Sequence, residues 1–76
     1  MSLVEVLEQL SKARTYVTEG ERCMVRQRKV VARLERQGND PLDAILFLEE
    51  LEGMQDEYIA HLDRVNRQVM GLLKAD

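Results

Sequence analysis

A single interruption, Gly38-Asn39-Asp40-Pro41, divides an otherwise helix-compatible chain into two stretches of nearly equal length. Gly38 suits the left-handed position that closes a helix, Asp40 suits an N-cap, and Pro41 suits the first helical position, where its missing N–H is not needed. Asp43 then puts negative charge in the first turn, where the helix dipole favours it. At the other end Ser2-Leu3-Val4-Glu5 has the spacing of a capping box, Ser2 at the cap and Glu5 three residues on. The reading is an all-α chain with one domain over residues 1–76: a helix over about 3–37, a turn at 38–40 and a helix over about 41–73. At ~1.5 Å per residue each helix is roughly 50 Å long, and so short a turn makes them antiparallel neighbours.

Heptad spacing supports this long hairpin independently. In the first stretch, alternating steps of three and four residues take in Leu3, Val6, Leu10, Ala13, Val17, Gly20, Met24, Gln27, Val31 and Leu34. In the second they take in Ala44, Leu48, Leu51, Gln55, Tyr58, Leu62, Val65, Val69 and Leu72. Folding the chain at its turn pairs the two seams layer by layer in a coiled-coil-like register, because the paired position numbers add to 78 or 79 throughout. Gly20 costs ~1 kcal/mol relative to Ala inside a helix; in this register it faces Tyr58 and makes room for the ring. Gln27 and Gln55, the one glutamine on each seam, stand a layer apart, within reach of each other. A lone polar residue at a seam position usually fixes alignment, and that reading is preferred to a functional one. Gly53, Gly71 and Leu46 acquire no role from the pattern.

Charge narrows the choice of partner. Eleven Lys and Arg against fourteen Asp and Glu leave a net charge of −3, and 45% apolar with 33% charged residues describes a chain that folds. Arg22, Arg26, Arg28, Lys29, Arg33 and Arg36 stand against Glu35 alone, which invites a nucleic-acid reading. In the hairpin, however, seven acids (Asp40, Asp43, Glu49, Glu50, Glu52, Asp56 and Glu57) lie alongside with no base among them. Arg28 is expected to pair with Glu52 on one flank, and much of the positive field is expected to be cancelled. No aromatic residue is interleaved with the arginines to stack on bases. A nucleic-acid-associated regulator using this basic segment is thus the alternative reading, not the preferred one.

The other flank points to a second copy. There Val30 pairs with Phe47, Cys23 with Met54, Tyr16 with His61 and Gln9 with Gln68. The first two pairs form an apolar strip that a lone hairpin cannot cover, since each helix has only one neighbour. The expectation is a homodimer forming a four-helix bundle, with Cys23, Val30, Phe47 and Met54 at the interface. Val25, Ala32 and Leu46 fall off both the seam and this strip.

No catalytic, metal or cofactor site is expected. Cys23 and His61 lie seven residues, or ~10 Å, apart along the hairpin in this register. There is no glycine-rich phosphate loop, no paired Cys motif, and no Glu-x-x-His repeat of the kind found in di-metal bundles. A core this small rarely supports a concave pocket as well, so the chain reads as non-enzymatic. One Cys cannot form an internal disulfide and no 18-residue apolar span occurs, which suggests a cytoplasmic protein without a membrane partner.

The segment Val17-Thr18-Glu19-Gly20-Glu21-Arg22, with Arg26-Gln27-Arg28, Leu34-Glu35-Arg36, Gly38, Asp40, Ala44, Leu48 and His61-x-Asp63-Arg64, resembles a group of short bacterial two-helix hypothetical proteins. The resemblance spans about two thirds of the chain. It implies the helical hairpin and a bacterial cytoplasmic setting, and it carries no assigned activity. Cys23 departs from the group, where a polar residue is expected.

Overall fold

The computed structural model describes residues 2–74, which form two helices and no strand: α1 (Leu3–Arg36) and α2 (Leu42–Lys74), packed side by side. The hairpin measures 62 × 14 × 14 Å between Cα extremes, a rod two helices wide.

Both ends of α1 close as their side chains require. Ser2 Oγ accepts from the Glu5 N–H at 3.2 Å, satisfying one of the donors a helix start leaves open. At the far end the Gly38 N–H donates to the Glu35 carbonyl at 3.1 Å and the Asn39 N–H to the Leu34 carbonyl at 2.9 Å. This pair of bonds is a Schellman closure, and it needs the φ of +74° that Gly38 adopts. The start of α2 differs by one residue from the sequence reading. Asp40 Oδ1 accepts from Leu42 N at 3.0 Å, while the first helical carbonyl, accepting from Ile45 N at 2.9 Å, belongs to Pro41. Pro41 therefore stands at the cap, and Asp40 closes a turn onto the residue beyond it.

The core is a single file of side chains. Val6, Leu10, Val65 and Val69 form its continuous buried cluster with Leu62 packed against it, and Ala13 and Met24 are also buried. Every buried residue belongs to one of the two heptad seams, and the sole buried polar residue among those described is Gln55. With one neighbour each, the helices cover only this stripe.

Candidate functional site

Midway along the hairpin the two helices approach through Gly20. A Cβ there would lie 2.9 Å from Gln55 Cδ, closer still to Gln55 Oε1, and 3.4 Å from Tyr58 Cδ2. The notch expected for the tyrosine ring is thus filled first by the Gln55 carboxamide, with Tyr58 at its edge. With its Oε1 side in this gap, the same carboxamide donates from Nε2 to the Val17 carbonyl at 2.9 Å. Nearer the turn Gln27 Nε2 donates to the Ala44 carbonyl at 2.9 Å. The two seam glutamines do not bond each other: each ties its helix to the backbone of the other. Gln55 Oε1, in a residue only 5% exposed, has no hydrogen-bond partner. Tyr58 turns its ring onto Tyr16, stacked at 5.4 Å between centroids and 19° between planes, whereas His61, set opposite Tyr16 by sequence, is exposed.

Beside these rings opens a shallow groove of about 120 Å³, lined by Tyr16, Gly20, Cys23, Leu51, Met54 and Tyr58, with the charged Glu19 also on its wall. It runs along the flank on which sequence placed the apolar strip. There Phe47 is 49% exposed, Met54 46% and Tyr16 56%, while Cys23 and Val30 are half-buried. All eight positions of this flank (Gln9, Tyr16, Cys23, Val30, Phe47, Met54, His61 and Gln68) lack a formal charge at neutral pH with His61 neutral. Arg26 Nη2 reaches Cys23 Sγ at 3.4 Å from the border of the strip.

The opposite flank has a different character. Glu21, Met24, Arg28, Glu52, Gln55 and Ile59 line a groove there, so Arg28 and Glu52 share it, but Arg28 pairs with Glu21 of its own helix at 4.0 Å. The expected bridge to Glu52 does not form: two turns along α1 suit the long guanidinium stem, and an exposed cross-helix pair returns at most ~1 kcal/mol for holding two long side chains. The other ion pairs, Arg22 with Glu19 at 3.1 Å and Arg67 with Asp63 at 2.8 Å, are also exposed and intrahelical. Among the described residues no ion pair joins α1 to α2. The basic stripe of α1 and the acidic stripe of α2 thus lie side by side at the turn end, each facing solvent, and their mutual cancellation acts through the field alone.

A second set of exposed apolar side chains, Val4, Leu7, Met70 and Leu73, occupies the open end. The heptad reading gave these no role. Leu7 and Leu73 fall on the flank that also carries Arg14, Glu21, Arg28, Glu35 and Glu52, so the charge pattern could have separated this patch from the uncharged strip. Among the described residues no three His, Cys, Asp or Glu side chains converge as metal ligands would, and no helix is long and apolar enough to cross a membrane. Comparison with protein-family models, with curated proteins and with solved structures finds no match to this chain.

Proposed function

We propose that this chain is a small non-enzymatic interaction or regulatory module of the bacterial cytoplasm that works as a homodimer, two hairpins packing through Cys23, Val30, Phe47 and Met54 into a four-helix bundle. The observation that carries this reading is the uncovered, uncharged flank. The surface of the whole rod is also large for its mass: the hairpin exposes 5765 Å², against about 4,800 Å² for a compact monomer of this mass. The excess of about 1,000 Å² matches the ~800 Å² per partner that a stable interface buries. Burying Phe47, Met54 and Val30 from both copies at ~2 kcal/mol each amounts to roughly 12 kcal/mol gross, set against an association cost of ~4 to 15 kcal/mol.

Sedimentation equilibrium tests it. The wild type should sediment at twice the chain mass of 8.8 kDa, and Phe47→Glu should return it to one chain or unfold it. A wild-type protein of single-chain mass, or a Phe47→Glu variant with unchanged mass and stability, contradicts the reading.

A nucleic-acid-associated regulator is the second reading, favoured by one observation: the exposed bases of residues 22–36 make no ion pair with α2. The unbroken acidic stripe beside them weighs against it.

A further inference from the structure

We infer that the outer face of α1, the side turned away from α2, is a docking surface for the outer face of α2 on another copy of this chain. The contact is separate from the uncharged flank and does not rest on the dimer reading above. It follows from the opposite charge that the hairpin carries on its two far sides.

On α1, Arg22, Lys29 and Arg36 recur at heptad steps opposite the seam and form a ridge, with Arg26 and Arg33 beside it. On α2 the column opposite the seam is Leu46, Gly53 and Ala60, which carries no charge. Glu49 and Asp56 run along one side of that column, and Asp43, Glu50 and Glu57 along the other. All of these residues are exposed. Arg22 pairs with Glu19 of its own helix, and the other bases and acids of the two faces have no ion pair among the described residues.

Another copy is the occupant because the two faces match in number, spacing and position. Five bases answer five acids, and both sets lie in the turn half of the rod. Laid on the uncharged column, the ridge rests its aliphatic stems there and sets its cationic heads between two rows of carboxylates. A Cβ on Gly53 would meet nothing within 4 Å, so the middle of the column is open to an incoming chain. Ridge and column share the heptad step, and bases therefore meet acids whichever way the second hairpin runs. The net charge of −3 repels copies at long range, but in ~0.1 M salt that field is screened beyond ~10 Å. The rod is 14 Å wide, which leaves the facing charges to decide. Because the contact joins two different faces it does not close on itself, and hairpins add side by side in a row.

Exposed ion pairs are individually weak and salt-screened, so the test is sedimentation equilibrium at ~1 mM chain in ~0.1 M and in ~1 M sodium chloride. The mass should exceed two chains at the lower salt and fall to two at the higher. A fall to one chain contradicts the flank dimer and leaves this contact standing, whereas a mass that does not fall with salt overturns the contact. Two double variants then read the faces: Arg22→Glu with Lys29→Glu, and Glu49→Lys with Asp56→Lys. Each should weaken the low-salt association on the order of tenfold, with helicity unchanged by circular dichroism. The second variant brings the net charge close to zero, which by itself favours association, so its weakening reports the face. An equal mixture of the two should associate more strongly than either alone, since each keeps the face that the other has lost. A mixture no stronger than its components, or no weakening in either variant, overturns the contact. Weakening in the basic-face variant alone also overturns it and assigns that face to an anionic partner of another kind. Should either variant lose helicity, the salt dependence of the native chain decides.

Discussion

Gln55 donates from Nε2 to the carbonyl of Val17 across the helix seam at 2.9 Å, while the Oε1 of the same carboxamide fills the space where a side chain on Gly20 would stand. The glycine, the glutamine and the carbonyl thus act as one device. Removing the side chain at Gly20 lowers helix propensity, yet it lets a polar group from α2 reach α1's backbone, and the nearly complete burial of Gln55 makes that bond hard to replace with water.

Gly20→Ala should therefore destabilise the protein even though alanine favours the helix. The gain of ~1 kcal/mol in propensity is outweighed by displacing the Gln55 amide, since a buried amide left unpaired costs ~1 to 3 kcal/mol. The expected net loss is about 1 kcal/mol. In a Gln55→Ala background, where the obstruction is gone, the same change should instead stabilise by about 1 kcal/mol. Urea denaturation of the four chains at one fixed concentration reads this out. A stabilising effect in both backgrounds means that the notch does not hold Gln55. Gly20→Leu should cost more, in the ~1 to 3 kcal/mol range of overpacked cores.

Glycine to alanine should change sign from one position to another. Gly38 sits at φ +74° in the closure of α1, where a Cβ costs roughly 1 to 2 kcal/mol. Gly53 lies within α2 with nothing within 4 Å of the Cβ it would carry, so alanine there should add ~1 kcal/mol of stability. Thermal unfolding should show Gly38→Ala melting below the wild type and Gly53→Ala above it.

Nucleic-acid binding should be weak. Titrating the protein with duplex DNA and with single-stranded RNA near physiological salt should show no affinity beyond the ~10⁻⁴ to 10⁻⁶ M of non-specific binders, and any signal should fade as salt rises. Arg22→Ala combined with Arg26→Ala should leave binding and fold nearly unchanged. Sub-micromolar affinity with a steep salt slope, lost in that variant, would promote the nucleic-acid reading.

The hairpin was legible because its determinants are periodic or local. Seam residues such as Val6, Leu10, Val65 and Val69 recur at heptad spacing and are the ones found buried, and Gly38 announces its left-handed φ by identity. What escaped the pattern involves reach and direction. A heptad pairs side chains with side chains, so it could not show that Gln27 and Gln55 bond to the backbone carbonyls of Ala44 and Val17. It likewise set Arg28 level with Glu52 but could not choose between that partner and Glu21, two turns away on the same helix. Tyr16 found Tyr58 rather than His61 because a seam tyrosine extends its ring toward the flank. Pro41 displaced Asp40 from the cap because residues that suit neighbouring positions of a helix start leave a one-residue choice open.

Contact between copies across the uncharged flank is measured most directly by isotope-filtered nuclear Overhauser spectroscopy on a mixture of labelled and unlabelled chains. Intermolecular transfer should run from the Phe47 ring to the Val30 methyls and from the Met54 methyl to Cys23. Intermolecular transfer confined to Val4, Leu7, Met70 and Leu73, or none at concentrations where the protein has twice its chain mass, would contradict the interface.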